Sequence, residues 1–229
     1  MVLDSSIRRI TKPDQPAWLV ALQNDLALIT AQAAHEFWPG PSQNSGPYFN
    51  HRLEHVQQVE REALRMLEEP ECQPASRDVV LAMVWIHDRY KPQFEGDDHA
   101  LRAAAWTREH LAGLGFDAGL VESVAFGVEH HADPPGALPE EAREARLVWD
   151  ADKLTKIGPL NIISRLVSHP AFPEQHVTYN SMALFGLERL EQSRRLVDHF
   201  YFESSRRLAR ERFAQQSAFY EMLARDVEA

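Results

Sequence analysis

The run VVLAMVWIHD, residues 79–88, decides the fold that the sequence predicts. Eight consecutive apolar residues follow Ser76, a candidate N-cap, and lead directly into His87 and Asp88. A helix that is apolar around its whole circumference belongs in a protein core. The run therefore predicts a buried helix that carries a histidine and an aspartate from the core towards a cleft.

The chain on either side of this run predicts further helices and no strand. Apolar residues recur near 3.6-residue spacing, and Pro or Gly stands at most of the expected breaks. The predicted helices span about residues 16–38, 49–67, 76–91, 98–114, 117–130 and 139–153, with two or three more up to about residue 227. We expect an all-α, single-domain helical bundle in which residues 1–47, a helix and a loop, pack on a main unit formed by residues 48–229.

Composition excludes several classes of protein. The 229 residues carry 24 Lys and Arg against 34 Asp and Glu, a net charge of −10, which argues against a partner that is a nucleic-acid polymer. Residues 1–12 lack a signal-peptide pattern, and no apolar run is long enough to span a membrane. We therefore expect a cytoplasmic protein without a membrane partner.

Histidines and aspartates form three groups with the spacing of metal ligands. His51 and His55 are four residues apart and share a helix face, His87 precedes Asp88, and Asp150 and Asp152, one of which could be a ligand, lie in an acidic segment of a later helix. From spacing alone, each group could equally be packed or solvated. The zinc-protease pattern is excluded, because it needs Glu directly after the first His, where Arg52 stands.

Taken in order, these groups resemble the H…HD…D pattern of the HD superfamily of metal-dependent phosphohydrolases, which has an all-α fold. The local sequences are similar as well: HRLEHVQQV at 51–59, VWIHD at 84–88, DADKLTKIG at 150–158 and ESSRRLARERF at 203–213. The resemblance covers about residues 48–228. The chain departs from it at Tyr48 and Arg52, where acidic residues are common, and it has no GYP motif, so cyclic-di-GMP hydrolysis is not expected.

The resemblance implies a metal site and a reaction. Its metal ligands would be His55, His87, Asp88 and Asp152. Such nitrogen and oxygen donors suit Mn, Fe, Co, Ni or Zn, with Mg less favoured, and we expect one ion, with room for two. The expected reaction is hydrolysis of a phosphate ester, of a nucleotide or another small phosphorylated metabolite, by metal-activated water.

Roles in catalysis and substrate binding follow from the same resemblance and from the positions of nearby cations. Asp88 and His130 are the candidate catalytic residues, with His130 favoured over His131. The candidate substrate contacts are His51, Arg89, Lys91, His131 and Lys153. We expect His99 to belong to a helix start capped by Asp97 or Asp98.

Two other functions stay open. A diiron HD-type oxygenase would recruit His130 or His131 as a further ligand, and a non-catalytic HD scaffold would serve in binding or regulation. The aromatic residues after position 200 suit either a core or a homodimer face. The expected partner in the leading interpretation is a small phosphorylated substrate.

Overall fold

The computed structural model describes residues 15–37, 50–90, 98–168 and 178–228, and within these ranges the chain is helical without any strand. The α-helices are α1 (Ala17–Phe37), α2 (His51–Met66), α3 (Arg77–Ile86), α4 (His99–His110), α5 (Ala118–His130), α6 (Arg143–Leu154), α7 (Pro159–Ser168), α8 (Tyr179–Leu196) and α9 (Glu203–Glu228). The predicted all-α bundle is confirmed. None of the described helices is long and apolar enough to cross a membrane.

The ends of three helices differ from the prediction. α3 ends at Ile86, and His87 is its C-cap, so the metal-binding motif stands at the helix end rather than inside a longer helix. α4 ends at His110 and continues as a 3-10 turn up to Gly115, which has a φ of 95°. α6 begins at Arg143, because residues 139–142 form a turn closed by a hydrogen bond from Ala142 N to Pro139 O.

α3 is the central helix of the bundle. All its residues from Val79 to Ile86 are buried, and it packs against α1, α2, α5 and α6. Gly127 of α5 allows a close approach, because a Cβ atom there would overlap the Met83 side chain. The predicted buried helix is therefore present, and its C-terminal end is surrounded by the helices that carry the other candidate ligands.

α1 packs on the same core as α3. Its residues Leu19, Leu22 and Leu26 are at most 3% exposed and belong to the cluster that contains the α3 side chains. Residues 1–14 and 38–49 lie outside the described part of the chain. The division of the chain at residue 47 therefore stays a prediction.

Two carboxylates, buried Asp150 and exposed Glu71, fasten the start of α9 to the bundle. Asp150 accepts hydrogen bonds from Tyr201 N at 2.9 Å and Phe202 N at 3.0 Å, and Glu71 accepts from the next two backbone amides. Burial raises the pKa of Asp150 to about 7, although these amides favour its charged form. Asp150 is thus committed to holding α9, and only Asp152 of this acidic segment is directed towards the other candidate ligands.

A second fastening joins α9 to α2 and α6. Arg212 donates to buried Glu62 at 2.6 Å and to the Leu154 carbonyl at 3.2 Å. Gly158, with a φ of 97°, leaves room for the Arg212 side chain, since a Cβ atom there would lie 2.9 Å from Arg212 Cβ. These contacts set the position of the chain that follows Asp152.

Candidate metal centre

Histidine and aspartate side chains from five helices or helix ends converge at the C-terminal end of α3. They are His55 of α2, His87 and Asp88 after α3, His99 of α4, His131 after α5, and Asp152 of α6.

Asp88 lies at the middle of this cluster and shares its two oxygens between two sets of histidines. Its Oδ2 atom is 3.4 Å from His55 Nε2 and 3.9 Å from His87 Nε2. Its Oδ1 atom is 3.7 Å from His131 Nε2 and 3.9 Å from His99 Nε2. We call His55, His87 and Asp88 the first group, and Asp88, His99 and His131 the second group. Within each group one ligand atom per residue lies within 4.8 Å of the others, as a shared metal ion requires.

Asp152 contacts His55 of the first group. Its Oδ1 atom is 3.3 Å from His55 Nε2, while Oδ2 accepts from Lys153 Nζ at 2.6 Å and Lys156 Nζ at 2.9 Å. Burial alone would raise the pKa of Asp152, but the two ammonium groups hold it well below its usual range. Asp152 is therefore a carboxylate with one oxygen held by lysines and the other directed at the first group.

Three histidines of the cluster have their ring orientation fixed by hydrogen bonds. His87 Nδ1 and His131 Nδ1 each lie 2.7 Å from a backbone carbonyl, of Val84 and Val128. A carbonyl can only accept, so both Nδ1 atoms carry the proton and both Nε2 atoms offer a lone pair to the cluster. His55 is also contacted at Nδ1, but more weakly, because its Nδ1 atom is 3.3 Å from the hydroxyl of Thr155.

The Nε2 atom of His87 shows most directly that these residues suit a metal ion. It is buried and has no hydrogen-bond partner within the described residues. Burial lowers the pKa of His87 to about 4, so the imidazole is neutral at pH 7 and its lone pair is available. A buried nitrogen of this kind calls for a partner, and beside ionised Asp88 and Asp152 a divalent cation supplies one.

A cavity of about 360 Å³ opens beside the first group, between α2 and α7. His55 and Asp88 of the first group line it, together with His51, Thr155 and Lys156. His51, which is one of the predicted substrate contacts, therefore lines the cavity beside the first group. Residue 91, the predicted contact Lys91, is outside the described part of the chain.

Two other predicted substrate contacts are corrected by the structure. Arg89 turns away from the cluster, pairs with Asp25 and places its guanidinium 3.9 Å from the centre of the Trp106 ring. Lys153 is largely buried and donates to Asp152 and to the His131 carbonyl at 2.9 Å. Both cations hold protein groups in place, so the accessible lysine at the site is Lys156, whose side chain is 45% exposed.

The preference for His130 over His131 is corrected as well. His130 Nδ1 bonds to Asp133 at 2.7 Å, and its ring packs on Phe126, outside the cluster. His131, only 4% exposed, contacts Asp88 and packs its ring 5.1 Å from that of His87. α5 ends between the two histidines, and successive residues there still rotate by about 100°, so only one of them can enter the cluster.

His99 is a candidate ligand that sequence reasoning missed. Asp98 is the N-cap of α4, as expected, and accepts from Leu101 N at 3.0 Å. His99 follows as the first helical residue, with its ring 5.2 Å from that of His131. The only signal in the sequence was a histidine in the first turn of the helix that follows the His-Asp pair.

No protein-family model and no curated protein matches this chain, but twelve chains of solved structures do. YpgQ of Bacillus subtilis, in complex with ADP, matches with a TM-score of 0.59 and 17% identity over 91% of this chain and 96% of that one. A predicted HD superfamily hydrolase from an uncultured Thermotogales bacterium matches with a TM-score of 0.52 and 18% identity over 90% of this chain and 91% of that one. A Lactobacillus plantarum protein matches with a TM-score of 0.58 and 18% identity over 93% of this chain and 98% of that one.

These likenesses define the fold. The chain has the all-α fold of the HD-domain superfamily, and the resemblance inferred from the H…HD…D order is confirmed at that level. On this fold the chain presents a His and Asp cluster that could hold a metal ion.

Proposed function

We propose that this chain is a metal-dependent phosphohydrolase that cleaves a small phosphate ester, a nucleotide or another phosphorylated metabolite. The observation that carries the proposal is the convergence of histidine Nε2 atoms and ionised carboxylates beside an open cavity. The likeness in fold to a predicted HD superfamily hydrolase and to a protein in complex with ADP supports it.

The first group with Asp152 would hold one ion through His55, His87, Asp88 and Asp152. The second group would hold another through Asp88, His99 and His131. Mixed imidazole and carboxylate donors favour Mn, Fe, Co, Ni or Zn over Mg. When bound, such an ion polarises a phosphoryl oxygen and lowers the pKa of bound water.

The chain's own residues would position the ester and balance its charge. Lys156 lines the cavity and is half-exposed while its Nζ remains 2.9 Å from Asp152, so it can donate a further hydrogen to a phosphate oxygen. Lys153 keeps Asp152 oriented and ties it to the second group through the His131 carbonyl. In this proposal Lys156 takes the phosphate-binding role that the sequence had assigned to Arg89 and Lys153.

Metal content tests the proposal before any substrate is known. Protein purified without added metal would be measured for transition ions per chain and for release of phosphate from a panel of esters. Asp88→Ala should lose both metal and hydrolysis. Asp133→Ala is the matched control, since Asp133 is a half-exposed carboxylate that pairs with His130 outside the cluster. Absence of metal from the wild-type protein after reloading, or hydrolysis that survives in Asp88→Ala, would contradict the proposal.

A second candidate function is oxidative cleavage at a diiron centre of the HD type. The observation that favours it is the second group, which adds His99 and His131 to the four ligands predicted from sequence. Two iron ions per chain together with substrate-dependent oxygen consumption would support this function. Phosphate release without oxygen would favour hydrolysis.

A further inference from the structure

The cavity beside the first group carries positive charge well beyond the candidate metal ligands. Arg61 and Arg165 line it in addition to Lys156, and among the described residues its lining carboxylates are Glu54 and Asp88. The whole chain has a net charge of −10, so this local group of positive charges is opposite in sign to the net charge of the chain. Such a groove favours an anionic ligand.

Arg61 is oriented by a chain of hydrogen bonds that runs through Gln58 to the buried carboxylate of Glu62. Glu62, only 3% exposed, accepts from Gln58 Nε2 at 2.7 Å, and this contact turns the Gln58 oxygen towards Arg61. That oxygen accepts from Arg61 Nε at 2.9 Å and from one terminal nitrogen at 2.6 Å. Glu62 is itself held by Arg212 at 2.6 Å. The guanidinium is therefore oriented before any ligand arrives, which lowers the entropy that binding would cost.

The charge of Arg61 remains available to a ligand. Its hydrogen-bond partner Gln58 is neutral, and among the described residues no carboxylate oxygen lies within the 4.0 Å of an ion pair with it. Arg61 is six residues from His55 along α2, which corresponds to a rise of about 9 Å. The lining of the cavity therefore extends along α2 well beyond His55.

We propose that the substrate carries a second anionic group, a carboxylate or a second phosphate, which Arg61 binds in the part of the cavity beyond the metal centre. The inference rests on the proposed function and narrows its substrate class. The exposed side chains of Leu160 and Ile163, which also line the cavity, would contact the carbon skeleton between the two anionic ends.

Matched pairs of esters test the proposal on the metal-loaded full chain. Glycerol 3-phosphate against 3-phosphoglycerate adds a carboxylate, and fructose 6-phosphate against fructose 1,6-bisphosphate adds a phosphate. We expect kcat/KM to favour the doubly anionic member of at least one pair by about tenfold or more, as hydrogen bonds to a charged group allow. The pair that shows the preference identifies which anion the site takes.

Variants then assign the preference to Arg61. Arg61→Gln should bring the ratio within each pair close to one, and Arg61→Lys should retain part of it, because it keeps the charge but not the planar fork. Arg194→Gln is the matched control: it removes the same charge from an exposed arginine of α8 that pairs with Glu191. A wild-type protein without preference, or a preference that survives in Arg61→Gln, would overturn the inference.

The second anion site can still be tested if the protein turns out not to be a phosphohydrolase. If the metal-loaded protein hydrolyses none of the esters, the phosphohydrolase proposal fails, and calorimetric binding of the same pairs decides the inference alone. Tighter binding of the doubly anionic member, lost in Arg61→Gln, would support the second anion site. Equal binding of both members, or no binding of either, would overturn it.

Discussion

Replacement of Thr155 by Val removes the hydroxyl that contacts His55 Nδ1. The Thr155 hydroxyl donates to the Asp152 carbonyl at 2.7 Å, so its oxygen lone pair faces His55 Nδ1 at 3.3 Å. Valine keeps the shape of the side chain but cannot accept a hydrogen bond from His55 Nδ1. In Thr155→Val the imidazole can place its proton on Nε2 instead, and in that form it no longer offers a lone pair to Asp88 and Asp152.

The size of the effect follows from the length of this contact. Loss of a group that orients a metal-binding histidine costs about 10- to 100-fold in metal affinity. A separation of 3.3 Å is longer than the usual N–H···O distance of about 2.9 Å, so the low end of that range applies. We therefore expect Thr155→Val to weaken binding at the first group about tenfold, or about 1.4 kcal/mol.

Competition for Zn²⁺ against a chromophoric chelator measures this difference directly. Thr107→Val is the matched control, because Thr107 is a buried helical threonine whose hydroxyl donates to the Ala103 carbonyl at 2.9 Å and takes no part in the cluster. Thermal unfolding of both metal-free variants separates loss of the site from loss of the fold. Equal Zn²⁺ affinity in Thr155→Val and Thr107→Val would refute the assigned role of Thr155.

Three further predictions concern the second group, the packing of α9 and the response to acid. His131→Ala should lower the number of bound ions per chain or weaken the second one at least tenfold, whereas His130→Ala should leave metal content unchanged; equal metal content in the two variants would contradict the assignment of His131 alone to the second group. Gly186→Ala should cost about 1–3 kcal/mol in urea unfolding, because its Cβ would overlap the buried Tyr220 ring, and a change below about 0.5 kcal/mol would show that the ring moves aside freely. The pKa of His87 is lowered by burial to about 4, so the unfolded chain takes up the proton first on acidification; the metal-free protein should lose up to about 3 kcal/mol of stability between pH 7 and 4.5, and His87→Asn should show a smaller slope over that range.

The helices could be predicted because they depend on local spacing. The apolar run before His87 predicts a buried helix, and that helix ends where the His-Asp pair begins. His55 and Asp152 were assigned by resemblance, and the structure places His55 beside both Asp88 and Asp152. The fold needed no long-range information beyond the order of these segments.

The second group and the roles of the cations depend on packing that sequence alone does not contain. Which of His130 and His131 enters the cluster depends on where α5 ends, and a difference of one residue reverses the answer. His99 reaches Asp88 only because α4 begins beside the end of α3. Arg89 is close to the motif in sequence, but the Trp106 ring and Asp25 draw its side chain to the other side of the helix end.

The burial of α3 on every side determines how slowly its backbone amide hydrogens exchange with solvent. Amide hydrogens of such a helix exchange with solvent only when the whole domain unfolds, and His87 and Asp88 follow this helix directly. α7 exposes Leu160 and Ile163 along the cavity and is anchored by Ile162 against Leu190 and Tyr220, outside the cluster that contains α3. We therefore expect deuterium uptake to be slowest in α3 and faster in α7.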